Sequence, residues 1–80
     1  MNLRPITTEK AVMLIESQNV LTFETQRDVT REEAKKEIEG LFNVKVERVR
    51  TMIRGNQKHL YVKLKKASPA IDVATKLGII

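Results

Sequence analysis

The sequence has no cysteine, no tryptophan and only one histidine, His59, among its 80 residues. Without cysteine the chain cannot form disulfides, thiolate nucleophiles or cysteine-based zinc sites, and this composition suits a reducing compartment. No N-terminal segment has the layout of a signal peptide, and no apolar run approaches the roughly 20 residues that span a bilayer. We therefore expect a cytoplasmic protein without membrane insertion, metal ion or cofactor.

Catalytic residues are also scarce. Asp28 and Asp72 are isolated in sequence, so no acid pair indicates hydrolytic chemistry, and Gly55 is a lone turn glycine rather than part of a phosphate loop. Arg54 and Asn56 are residue types with which small α+β domains hydrolyse acyl phosphates, but such a pair is frequent by chance. We predict no enzymatic activity and keep an acyl-phosphate hydrolase as an alternative.

Positive charge is concentrated in the second half of the chain. Residues 1–40 carry six bases and eight acids (−2), whereas residues 41–80 carry nine bases and two acids (+7), which gives the formal total of +5. Such a field attracts polyanions, of which phosphate backbones are the commonest. Three aromatic residues are too few for a binder built on many stacking platforms. The charge pattern predicts a nucleic-acid backbone as partner without separating RNA from DNA.

The first half of the chain predicts a short extended segment at Arg4-Pro5-Ile6, a helix, a strand and a second helix. Thr7 or Thr8 caps the first helix, which ends at Gln18-Asn19. In the strand at 20–25 we expect Leu21 and Phe23 inward, with Thr22 and Glu24 outward. Thr30 and Glu33 match a capping box, and the second helix has four predicted core positions: Ala34, Ile38, Leu41 and Phe42.

The second half predicts a β-hairpin and a last helix. A phase shift in the apolar pattern after Val46 indicates a bulge near Glu47-Arg48, and Gly55-Asn56 is typical of a tight turn. Ser68-Pro69 is expected to start the helix, with Gly78 following its end and three inward residues: Ile71, Ala74 and Leu77. The order predicts an α+β fold, a single-domain sandwich over residues 1–80 with a mostly antiparallel sheet, packed helices and a C-terminal basic β-hairpin.

Alternation along the hairpin predicts a basic ridge that suits the backbone of folded RNA. Its members are Arg48, Arg50, Arg54, Lys58, Tyr61, Lys63 and Lys65. Tyr61 either stacks on a base or packs against lysine stems. His59 either contacts phosphate or base, or is an exposed residue at the strand end.

The segment Arg4-Pro5-Ile6-Thr7-Thr8-Glu9-Lys10-Ala11 resembles the N-terminal signature of the universal large-subunit ribosomal protein twenty-three family. The likeness continues through residues 19–23, 30–42, 49–51 and 60–64. It implies a structural constituent of the large ribosomal subunit, monomeric when isolated, that binds the third domain of large-subunit rRNA near the polypeptide exit tunnel. The implied partners there are neighbouring ribosomal proteins, the signal recognition particle and the protein-conducting channel.

Alignment on Glu9-Lys10-Ala11 places Glu16 where bacterial members carry their factor-docking carboxylate, and a solvated helix-end acid is the alternative. Two departures from the bacterial pattern indicate the archaeal-type short form. Residues 54–58 replace a long hairpin insertion, and Arg50 replaces an asparagine. We therefore expect no docking of trigger factor. We also expect no basic N-terminal extension of the eukaryotic kind before the motif.

Together the charge pattern and the resemblance predict eleven rRNA-binding residues. They are Arg4, Lys10, Arg48, Arg50, Thr51, Arg54, Lys58, His59, Tyr61, Lys63 and Lys65, with Glu16 as the predicted factor-docking residue. The alternative is a general nucleic-acid-binding basic protein outside the ribosome, which would bind duplex DNA and RNA with similar affinity.

Overall fold

A computed structural model describes residues 3–78 as a four-stranded sheet with three helices. The elements are β1 (Arg4–Pro5), α1 (Glu9–Gln18), β2 (Val20–Gln26), α2 (Arg31–Phe42), β3 (Val46–Arg54), β4 (Gln57–Leu64) and α3 (Ala70–Lys76). The spatial strand order is β1-β2-β4-β3, and every strand pair is antiparallel. The α+β class and the predicted order of elements are confirmed.

The sheet has two unlike faces because successive side chains in a strand alternate. The inner face packs against α2 and α3 in one hydrophobic core. Its strand residues are Leu21, Phe23, Val46, Val49, Leu60, Val62 and Leu64. The outer face presents the alternate residues of β2, β4 and β3. Helix α1 lies along its β2 side and also contacts α3, where Ile15 joins the core. Thr22, predicted to be exposed, points outward but is 7% exposed, because α1 lies over β2.

Both longer helices begin with the predicted caps. The Thr8 hydroxyl accepts a hydrogen bond from the Ala11 N–H at 3.2 Å, and Thr30 and Glu33 form the complete capping box. The inward prediction for Leu41 is wrong: its side chain is 62% exposed. Leu41 lies in the last turn of α2, where Phe42 makes the contact with the core instead.

The start of α3 differs from the prediction. The Ser68 hydroxyl does not cap the helix, because it accepts a hydrogen bond from the Lys45 N–H at 3.0 Å. The helix begins at Ala70, later than predicted, which turns its buried face toward Ala70, Val73 and Ala74. Ile71, expected in the core, is consequently 40% exposed.

Asn19 connects four elements of the fold. Its backbone has the left-handed conformation, with φ of 58°, which ends α1 and turns the chain directly into β2. Its side-chain amide lies 3.1 Å from the Leu64 carbonyl and 3.2 Å from that of Ser68. Its Oδ1 accepts a hydrogen bond from the Ala70 N–H at 2.6 Å, so it supplies the cap that Ser68 does not.

We predict that Asn19→Ala destabilises the protein by about 2 kcal/mol more than Asn43→Ala, from the lost side-chain hydrogen bonds. Asn43 is a matched control because it also ends a helix with positive φ, 53°, so both variants share the backbone strain of alanine there. Urea unfolding followed by circular dichroism measures the difference. Equal losses in the two variants would contradict the role of the Asn19 side chain.

Candidate nucleic-acid interface

A groove of about 400 Å³ lies between α1 and the outer face of β4 and β3. We call it the basic groove, because four cationic side chains and no acid line it. The lining residues are Lys10, Leu14, Gln18, Val20, Arg48, Arg50, Thr51, Met52, Tyr61 and Lys63. Most of the predicted ridge therefore faces a concave surface, with α1 as its wall.

The bulge in β3 decides which residues reach this groove. Val46 pairs with Leu64 while Arg48 pairs with Lys63, so the register shifts between Val46 and Arg48, as predicted. An unbroken alternation from Val46 would have turned Arg48 and the other arginines of β3 into the core. With the shift, Arg48 lies opposite Lys63, and Arg50 lies opposite Tyr61, on the outer face.

The wall of the groove comes from one side of α1. Lys10, Leu14 and Gln18 follow one another at four-residue spacing, which aligns them along a helix. Leu14 also packs beside the covered part of β2, so the wall is fixed to the sheet rather than standing free of it. Gln18 was missed in the sequence, although its spacing from Lys10 is a usable signal.

The cations of the groove are largely uncompensated. Within residues 3–78, ion pairs join Arg4 to Glu24 and Lys63 to Glu47, the latter at 3.7 Å, and the His59 Nε2 lies 3.7 Å from a Glu24 carboxylate oxygen. Lys10, Arg48 and Arg50 make none of these contacts, so their field is open to an anion in solvent. Exposed pairs contribute little to stability, and even the Lys63 pair is partly open to solvent.

Arg4, Arg54 and His59 also lie on the outer face, but at the far end from Arg48. A smaller cavity of about 140 Å³ there is lined partly by Lys10, Tyr61, Arg54 and His59, so it adjoins the basic groove. Arg4 forms an ion pair with Glu24 on β2 and lines neither of these two cavities. His59 lies half-buried beside Glu24 rather than fully exposed at a strand end.

Two of the predicted residues, Lys58 and Lys65, lie apart from this surface, and Thr51 is only partly in it. Lys58, predicted near the hairpin tip with Arg54, lies on the inner side of the sheet, where its Nζ donates a hydrogen bond to the Val29 carbonyl at 2.7 Å. Thr51 borders the groove but pairs with Leu60 in the inner-face register. Lys65 follows the end of β4 and is exposed.

The structure gives no support to the hydrolase alternative. Arg54 and Asn56 line different cavities, and the Arg54 Nε donates to the Met52 sulfur at 3.4 Å. The described part of the chain holds no cluster of three or more His, Cys, Asp or Glu residues that could bind a metal. None of the helices between residues 3 and 78 is long and apolar enough to cross a membrane.

Comparison with known proteins identifies the class. The family model described as Ribosomal protein L23 matches residues 1–72, so the chain belongs to this family of ribosomal proteins, which are structural rather than enzymatic. It is 44% identical over 79 residues to the large ribosomal subunit protein uL23 of Pyrobaculum aerophilum, covering 96% of both chains. It is 41% identical over 75 residues to uL23 of Thermoplasma acidophilum, covering 94% of this chain and 89% of that protein.

Both relatives come from archaea, which confirms the archaeal-type assignment made from the resemblance. The absence of enzymatic function and the location in the cytoplasmic ribosome are likewise confirmed by the family. The matched regions extend over nearly the whole chain, so they span the hairpin that forms the groove.

We predict that deleting Glu47, the extra residue of the bulge, leaves the free energy of unfolding within about 1 kcal/mol of the parent, a surface-scale effect. The shortened strand alternates regularly, with Val46 and Val49 inward and Arg48 outward. Deleting Arg50 instead keeps the pairing only if Arg48 turns inward, which costs several kcal/mol or prevents folding. Urea unfolding measures both variants, and equal stabilities would refute this account of the bulge.

Proposed function

We propose that the chain is a structural constituent of the large ribosomal subunit and that it binds large-subunit rRNA through the basic groove. The observation that carries the proposal is the groove's lining of four cationic residues without an acid. Family membership and the names of the relatives, both large ribosomal subunit proteins, support the ribosome as the place where this surface is used.

The mechanism is electrostatic and geometric. Arg48 and Arg50 project from β3 with planar guanidinium groups that bind phosphate through paired hydrogen bonds, whereas Lys10 and Lys63 act as point charges from α1 and β4. The four groups surround one concavity. They therefore match a bent phosphate backbone better than the same four charges on a flat surface would. The resemblance noted in the sequence favours the third rRNA domain, beside the exit of the polypeptide tunnel.

A second surface is available for proteins at the tunnel exit. Glu9, Met13 and Glu16 lie at i, i+4 and i+7 on the side of α1 turned away from the groove, and all three are exposed. Met13 gives this patch an apolar centre between two carboxylates. The proposed partners are the signal recognition particle and the protein-conducting channel, with neighbouring ribosomal proteins around them.

We expect saturable binding to a transcribed third-domain fragment of large-subunit rRNA, with a log–log salt slope of about −3 to −5 if roughly five phosphates are neutralised. Arg50→Ala should weaken binding and reduce the magnitude of the slope by about one unit, because one phosphate contact is lost. The control Lys36→Ala removes the same charge from exposed helix α2, away from the groove, and should leave the slope nearly unchanged.

Filter binding across a salt series measures these slopes, with duplex DNA of equal length as competitor. Equal and equally salt-sensitive binding to RNA and DNA would replace the ribosomal proposal by a general nucleic-acid-binding protein. An unchanged slope in Arg50→Ala would remove this residue from the interface.

For the second surface we expect Glu16→Lys to reduce the affinity of reconstituted large subunits for the signal recognition particle. The substitution replaces the proposed docking carboxylate by a positive charge, which repels a basic group on the partner. Glu32→Lys, the same change on exposed α2, is the matched control. Cosedimentation of the particle with the subunits measures the effect. Full binding by the Glu16 variant would exclude this carboxylate from docking.

A further inference from the structure

The floor of the basic groove has a property that phosphate binding does not explain. Between the cations lie the side chains of Val20 and Met52 and the ring of Tyr61, with Leu14 beside them on the α1 wall. Met52 is 42% exposed although it is large and apolar. A phosphate group is charged and strongly hydrated, so it gains nothing from apolar carbon beneath it. A flat heteroaromatic group with polar edges can contact both the apolar floor and the cations around it.

Tyr61 occupies the centre of this floor. It lies on β4, which has a neighbouring strand on each side. Arg50 pairs with it on β3 and Thr22 pairs with it on β2. It also lines both cavities, together with Lys10 and Leu14. The ring is partly exposed and is bordered by a guanidinium on one side, which is the combination of stacking and cation–π contacts found where proteins hold single bases.

We propose that the groove takes one unpaired nucleobase of the bound RNA, stacked on Tyr61 and flanked by Arg50, while Arg48, Lys10 and Lys63 hold the adjoining phosphates. The inference rests on the proposed rRNA binding and adds the state of the RNA at the centre of the interface. Of the two alternatives for Tyr61 left open in the sequence, stacking on a base or packing against lysine stems, it takes the first.

The groove is large enough to seat a single base. Its volume of about 400 Å³ is near the lower end of the range of about 300–1,000 Å³ typical of small-ligand sites. The wall formed by α1 prevents a duplex from lying flat on the sheet, and a paired base cannot leave its stack to reach the floor. A bulged or looped nucleotide is already unstacked, so its insertion costs least.

A second observation points to a polar ligand at the β2 side of Tyr61. The buried hydroxyls of Thr22 and Thr25 have no hydrogen-bond partner within residues 3–78, and of the two only Thr22 lines the smaller cavity next to the ring. A buried hydroxyl without a partner is unfavourable. A small displacement of the Tyr61 or Leu14 side chain exposes it to the edge of a seated base or to a ribose hydroxyl, either of which pairs with it.

The test compares Tyr61→Leu with Tyr61→Phe on the third-domain rRNA fragment. Loss of stacking should weaken binding about 5- to 100-fold in Tyr61→Leu, whereas Tyr61→Phe keeps the ring and stays close to the parent. The salt slope should not change in either variant, because no cation is removed. Arg48→Ala gives the reciprocal result, a smaller slope with the base contact retained.

Chemical probing of the RNA gives an independent readout. With the parent protein and Tyr61→Phe, base-directed reagents should find one unpaired nucleotide protected, and Tyr61→Leu should lose that protection while the hydroxyl-radical footprint of the backbone persists. Thermal unfolding of each variant confirms that it is folded. Identical base protection and affinity in Tyr61→Leu would overturn the base pocket alone. Failure of the parent protein to bind the fragment would overturn the rRNA proposal itself.

Discussion

The register shift between Val46 and Arg48 decides which side of the sheet carries charge. Upstream of it Val46 enters the core, and downstream of it Val49 does so, while the arginines between and beyond them reach the outer face. One extra residue therefore reconciles a closed hydrophobic core with a row of cations on the same strand. At the other end of the hairpin no extra residue is needed, because Gly55 supplies the positive φ that the two-residue turn requires.

Asn19 contributes the other half of the arrangement. By ending α1 in the left-handed conformation and binding the start of α3, it holds α1 over β2 while α2 and α3 cover the opposite face. The wall of the groove and the outward patch around Met13 are two sides of this one helix. Backbone geometry at a single residue thus helps to position the helix that has the basic groove on one side and the Met13 patch on the other.

The order of elements, both threonine caps, the bulge and the hairpin turn were predictable from sequence, because each depends on local spacing or on a residue with a special backbone preference. The errors concern contacts between distant residues. Ser68 has the composition of a cap, but Lys45 takes its hydroxyl and Asn19 caps the helix instead. Alternation gave the side of Thr22 correctly, yet only the packing of α1 shows that this side is covered.

The same division explains what the candidate site revealed. Charge counting found the cations, since a cluster of Lys and Arg is visible in composition, but nothing local in the sequence brings Leu14, Val20 and Met52 to one site. They line one groove only because α1 covers β2 and leaves β4 and β3 open. The open half carries like charges close together, which destabilises the free protein. Any anion that binds this surface offsets the repulsion, and it stabilises the fold by an amount that grows with the logarithm of its concentration relative to its dissociation constant.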